Sequence, residues 1–188
     1  MTAVFAFPRR RFTVEQYERM VEAGVIQPDE RVELLDGEVV EMAPIGPPHA
    51  SGVDRCSNHL WRAFGTEVIL RVQSPMRLSD ISMPEPDITV LRHRDDFYVA
   101  RHPTVADVLL LVEVGDTSVR FDREVKLPLY AAACVTEVWL LDVGARAISI
   151  FGDPGPAGYQ TLATAHHGDL LRPCALPGTE IAAADLLG

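Results

Sequence analysis

Asp87 and Glu113 are the residues of this sequence placed most tellingly for chemistry. Asp87 follows Pro84-Glu85-Pro86 and opens a short apolar stretch, while Glu113 closes the run Leu109-Leu110-Leu111-Val112. Both runs read as neighbouring strands, and a buried strand gains nothing from an unpaired carboxylate, whose desolvation costs several kcal/mol. A divalent cation shared by the pair would offset that cost, so Asp87 and Glu113 form a candidate metal site. Lys126 lies on the element that follows Glu113, four residues after Asp122. A helix packed back on the sheet would aim its ammonium at the carboxylates. The same i,i+4 spacing also describes a solvent-exposed Asp122–Lys126 ion pair worth about 0.2–0.5 kcal/mol. Asp87 after Pro86 can likewise be a strand-opening turn residue.

The elements that must position these groups can be read along the chain. Thr13-Val14-Glu15-Gln16 has the form of a capping box, and Tyr17, Met20 and Val21 follow at helical spacing up to Gly24. Val32 to Leu35 and Glu38 to Met42 flank Asp36-Gly37, a dipeptide suited to a tight hairpin turn. After the Pro- and Gly-rich stretch Ala43 to Pro48, a second helix carries Val53, Cys56, Leu60, Trp61 and Phe64 on one face. Strands are expected over Glu67 to Gln73 and Asp87 to Leu91, with Arg92 to Pro103 a loop. Asp107 to Val114, almost wholly apolar, reads as a central strand covered on both faces. Phe121, Val125, Leu129 and Ala132 mark a third helix that Pro128 should kink or split. Val138 to Val143, Ala147 to Phe151 and Tyr159 to Thr164 complete the strands, with Gly152 to Gly158 a turn and Ala182 to Leu187 a terminal helical turn.

The whole chain bounds the chemistry. Its 188 residues suit one domain, over residues 13–188 after an extension of residues 1–12, with 47% apolar and 23% charged residues. No apolar stretch approaches the roughly 20 residues of a membrane span, and Arg9, Arg10 and Arg11 follow the apolar opening where a secretory signal would have them precede it. The expected location is the cytoplasm, without membrane contact. Cys56, Cys134 and Cys174 are too dispersed for a zinc knuckle and indicate no disulfide framework. With 17 basic against 27 acidic residues the net charge is −10, which opposes loose attraction to a phosphate backbone. Any nucleic-acid role needs clustered Arg residues or neutralising metal ions.

Several motifs in order carry a resemblance. They are Arg31-Val32-Glu33-Leu34-Leu35-Asp36-Gly37-Glu38, His49 after a Pro-rich turn, Pro86-Asp87, Val112-Glu113-Val114, Asp122 with Lys126 and Tyr130, and Glu137-Val138-Trp139-Leu140-Leu141-Asp142. Over about residues 11–187 the chain resembles the bacterial Uma2 family of endonucleases, within the PD-(D/E)XK nuclease superfamily. The resemblance implies an α/β fold with a restriction-endonuclease-like mixed central sheet, bearing the hairpin strands and the Asp87 and Glu113 strands, flanked by helices on both faces. It implies a Mg2+-dependent endonuclease, with Mn2+ as a substitute ion, whose metal sits on Asp87 and Glu113 and whose partner is DNA; a homodimer is left open. The superfamily lysine stands two positions after the Glu, where this chain has Gly115, and the family resembled carries a lysine at the place of Lys126. Three residues hold second rank. Glu33 would approach the metal as a further carboxylate or serve as a polar hairpin residue; His49 would orient a phosphate or water or cap the second helix; Gln73 would hold a water. The pattern leaves open a non-catalytic module of nuclease fold and a metal-dependent hydrolase of a small phosphorylated or nucleotide substrate.

Overall fold

The structure is a computed structural model and describes residues 9–188. The expected extension of residues 1–12 therefore lies mostly outside the described residues. Its last residues run along the hairpin turn, where Phe12 N–H donates to the Gly37 carbonyl at 2.8 Å and Arg11 pairs with Asp36 at 2.8 Å.

Helix α1 spans Val14–Glu22, and both halves of its capping box form between Thr13 and Gln16. Strands β1 (Val32–Leu35) and β2 (Glu38–Glu41) are joined by Asp36 and Gly37, both at positive φ, as a tight hairpin requires. Helix α2 covers Pro47–Phe64, starting six residues before the expected apolar face because Pro47 and Pro48 occupy its first turn, where the missing N–H costs nothing.

The central sheet has six strands in the order β3-β4-β5-β6-β7-β8, with ranges Val68–Val72, Ile88–Arg92, Val108–Gly115, Glu137–Asp142, Ala147–Gly155 and Gly158–Ala165. Only β5 and β6 run parallel, joined by a helical crossover. Contrary to expectation, the β1–β2 hairpin is not in the central sheet. It forms its own two-stranded sheet, linked to the β3–β4 connection through the Leu34–Met83 bridge. Residues 152–158 also depart from the expected turn: β7 and β8 extend through most of that stretch, with Pro154 paired to Tyr159.

Every residue of β5 is buried, as a central strand with two covered faces must be. Helix α2 supplies Val53, Cys56, Leu60 and Phe64 to one face, against Ile88, Leu110, Val112 and Trp139. The approach is close: a Cβ on Gly52 would lie 2.7 Å from Val114 Cγ1. The opposite face meets the crossover, which begins as α3 (Val119–Phe121), widens into a π-helical turn over Asp122–Lys126 and finishes as α4 (Leu127–Ala132). Leu127 N–H reaches back five residues to the Asp122 carbonyl, and the widened turn stands just before Pro128, which has no N–H to continue an α-helical ladder. Leu127 and Tyr130 of α4 pack on Leu91, Leu111, Val138 and Leu140.

Candidate active site

Sheet register builds the carboxylate pair. Ile88 lies opposite Val112, so Asp87, one residue earlier, falls beside Glu113. Asp87 N–H donates to Glu113 Oε2 at 3.2 Å, and Asp87 Oδ2 accepts from Val114 N–H at 2.9 Å. The two carboxylates are thus stitched to each other's strands as well as to the cleft. Strand alternation explains the exposure of Glu113 to chemistry: Val112 and Val114 point at α2, so Glu113 points to the α4 side.

Two of the second-rank residues meet at Asp87. His49, in the first turn of α2, places Nε2 at 3.1 Å from Asp87 Oδ1, and Gln73 Nε2 donates to the same oxygen at 3.3 Å. The hydrogen bond to Asp87 raises the His49 pKa above its ordinary value, against the opposing effect of burial. The Gln73 amide nitrogen also stands 3.3 Å from His49 Nε2, so imidazole, amide and carboxylate meet at one point.

Lys126 is where the sequence left two readings, and the structure decides between them. Lys126 and Asp122 are 6% and 4% exposed, whereas Phe121 and Val125, expected on the packed face, are 37% and 36% exposed. The polar stripe of this helix is the inward one, so a surface ion pair is excluded. Lys126 Nζ stands 3.3 Å from Glu33 Oε2 and 3.3 Å from Glu113 Oε1. Gly115 shows why the lysine comes from the helix: a Cβ there would lie 2.4 Å from Val119 Cγ2 and 3.0 Å from the Val119 backbone. No side chain fits at 115 without moving the start of the crossover.

Burial acts strongly on these charges. It pushes the Glu113 carboxyl well above the usual range, although the Lys126 ammonium pulls the other way. For Lys126 burial opposes the charge, but Glu113, Glu33, Asp122 and Asp87 outweigh it, and its pKa stands above the ordinary lysine value. The surrounding carboxylates thus favour the ammonium form of Lys126.

Three residues of the site escaped the sequence reading of roles. Tyr130 hydroxyl donates to Glu113 Oε1 at 2.6 Å, and its signal was its position four residues after Lys126 on the same helix. Asp122 accepts from Ser118 Oγ at 2.8 Å inside the cleft, where burial raises its pKa. Glu85, also raised by burial, reaches the cleft from between two prolines, and its N–H donates to Glu33 Oε2 at 3.1 Å. Glu33 itself is 2% exposed, so it belongs to the site and not to the hairpin surface.

The cleft above these groups has a volume of about 590 Å3 and is lined by seven carboxylates, among them Glu33, Glu85, Asp87 and Glu113, against only two permanent cations, Arg31 and Lys126. Among the described residues no three Asp, Glu, His or Cys side chains stand at metal-caging distance. Asp87 and Glu113 nonetheless stand side by side, a two-carboxylate donor set of the kind Mg2+ takes before completing its shell with waters and substrate phosphate oxygens.

Three comparisons bear on the site. A solved structure described as a "putative nuclease belonging to DUF820" from Anabaena variabilis superposes with a TM-score of 0.73 at 12% identity, covering 94% of this chain and 97% of that one. At that identity the likeness is one of fold. No curated protein matches the chain. The Uma2 family model, described as "Putative restriction endonuclease", matches residues 14–184, which takes in Glu33, Asp87, Glu113 and Lys126. The chain belongs to the Uma2 family.

Proposed function

We propose that the protein is a metal-dependent nuclease that hydrolyses DNA phosphodiester bonds. The observation that carries the reading is the Lys126 ammonium, buried between Glu33 and Glu113 beside Asp87 at the floor of the acidic cleft. Asp87 and Glu113 would hold Mg2+ or Mn2+, an ion that supplies Lewis acidity at a phosphoryl oxygen and lowers the pKa of water. Around it, each side chain has a task. Tyr130 fixes one oxygen of Glu113, and His49 with Gln73 fixes Asp87. Lys126, held protonated, supplies positive charge where negative charge grows on the phosphorus-bound oxygens, and its burial means that the charge acts without reorganisation. Membership of a family described as "Putative restriction endonuclease", and a solved neighbour itself described as a "putative nuclease", support the nuclease class.

A second reading has its own support. The cleft volume is of small-molecule size, and the seven carboxylates repel a polyanion. A hydrolase of a small phosphorylated substrate would fit the same groups. Incubation of supercoiled plasmid with the protein in Mg2+, Mn2+, Ca2+ or EDTA separates the readings. Nicking in Mg2+ or Mn2+ and none in EDTA is expected. Intact plasmid together with turnover of a small phosphodiester would favour the second reading, and neither activity would favour a non-catalytic module.

A further inference from the structure

Away from the cleft, the β4–β5 connection holds two consecutive aromatic residues in the left-handed region, Phe97 at φ 48° and Tyr98 at φ 59°. Bulky side chains strongly disfavour that conformation, so the surroundings must enforce it. They do so through Tyr98, which is 3% exposed. Its hydroxyl donates to the Arg92 carbonyl at 2.7 Å, and the guanidinium carbons of Arg94, Arg71 and Arg101 lie 4.9, 5.7 and 5.7 Å from its ring centre. The result is that Phe97 and Val99 are held out in solvent, 63% and 86% exposed. Burial of Tyr98 alone would not require its neighbours to be apolar.

The surrounding charge is selective. Arg94 is matched by Asp96, Arg101 by Asp107, and Arg77 by Glu15 and Asp80. Arg71 donates to the Phe97 carbonyl at 3.3 Å and has no acidic partner among the described residues. A hollow of about 550 Å3 opens beside them, its lining including Arg71, Arg77, Tyr98, Arg101 and His102 with one acidic residue, Glu18. Arg71 pairs with Thr89 across β3 and β4, two residues from Asp87 along the strand. Strand geometry puts its backbone about 8 Å from that of Asp87, and the alternation places it on the same face of the sheet as Glu113.

We infer that Phe97 and Arg71 form an anchoring surface for single-stranded nucleic acid, outside the cleft, with Phe97 stacking on a base and Arg71 pairing with a phosphate. An exposed aromatic face beside an unmatched guanidinium suits a strand whose bases are unstacked and whose phosphates repeat next to them. A duplex hides its base faces and offers only the phosphates. The use of this surface to hold substrate rests on the nuclease reading of the cleft; binding itself does not.

The test is fluorescence anisotropy with a labelled 12-nucleotide oligothymidylate and the full-length protein in EDTA, where no cleavage intervenes. Phe97→Ala is expected to weaken binding about tenfold, on the scale of one lost base stack, and Phe97→Trp to restore it. Arg71→Ala is expected to reduce the slope of log affinity against log salt by about 0.7, one single-strand phosphate contact. A duplex of the same length is expected to bind at least tenfold more weakly. Unchanged affinity in both alanine variants, equal binding of the duplex, or no binding by the wild type at 25 mM salt would each overturn the inference. Plasmid nicking by the wild type and by Phe97→Ala judges the cleft separately: nicking by a wild type that does not bind the oligonucleotide refutes the anchor and leaves the nuclease standing.

Discussion

Replacing Lys126 with Ala should be costly in a way a surface lysine never is. The ammonium lies 3.3 Å from a carboxylate oxygen of both Glu33 and Glu113, and all three side chains are buried. Removing the shared cation leaves two buried carboxylates uncompensated, a change that costs about 3–5 kcal/mol when one partner of a buried pair is lost. Partial protonation of Glu113 recovers some of this, so about 3 kcal/mol is the working figure at neutral pH. In a chain of this size each kcal/mol moves the melting point by about 2–4 °C, which gives a fall of roughly 6–12 °C in EDTA. A divalent cation replaces the lost charge at the same place, so 10 mM Mg2+ should raise the melting point of Lys126→Ala more than that of the wild type. Cleavage should still fall by about 10²–10³, since the metal does not reproduce the donor aimed at the transition state. Thermal denaturation with and without Mg2+, beside single-turnover nicking, reads all three effects. A Lys126→Ala protein that melts within 2 °C of the wild type in EDTA and nicks at the wild-type rate would refute the bridging role.

Further outcomes follow from the same geometry. Gly115→Lys, which restores the superfamily position, should not rescue Lys126→Ala and should itself lower the melting point, because its Cβ would meet Val119 Cγ2 at 2.4 Å; recovered nicking in the double variant would show that the crossover can yield. Cys134 sits exposed at the end of α4 with φ 65°, so Cys134→Gly should stabilise by about 1 kcal/mol, read as a rise in melting point. Glu113 has a folded-state pKa raised above its ordinary 4.5, so its contribution to stability is full below that pH and is lost as pH rises through the raised value. Measured in EDTA from pH 5 to pH 9, Glu113→Gln should therefore gain stability relative to the wild type; a constant difference would mean that Glu113 is not held protonated. Asp87→Ala should destabilise by about 1–3 kcal/mol through the unpaired Val114 N–H, whereas Asp87→Asn, which keeps one acceptor for that N–H but turns its amide on the donors of His49 and Gln73, should lose less.

The site was legible where residue type alone carried the signal. A Glu inside an apolar strand stands out by residue type, an Asp after Pro-Glu-Pro also suits a strand-opening turn, and the strand register brings the two side by side. The crossover misled because helical periodicity ranks faces by apolarity. Its packed side carries Asp122 and Lys126, and Phe121 and Val125 are left at the surface. The widened turn ahead of Pro128 also shifts the faces, which a fixed period of 3.6 cannot register. The hairpin was correct as a hairpin and misplaced as part of the main sheet, because turn chemistry specifies the pairing of two strands and says nothing of a third. Tyr130 stood among the ordered motifs, but its contact, like that of Glu85, can be read only once the carboxylates the two residues touch have been located. The double role of Asp87, as candidate ligand and as acceptor for a backbone N–H, is likewise a property of the register and not of the residue.

Single-turnover nicking of supercoiled plasmid at saturating Mg2+ by the wild type, Asp87→Asn and Glu113→Gln reads the metal-holding role of the carboxylate pair, because both substitutions remove ligand charge while leaving the side-chain shape. Nicking by the wild type that EDTA abolishes is expected, with loss of at least about 10² in rate in each variant and the fold intact by circular dichroism. Wild-type rates in either variant, or undiminished nicking in EDTA, would contradict that role.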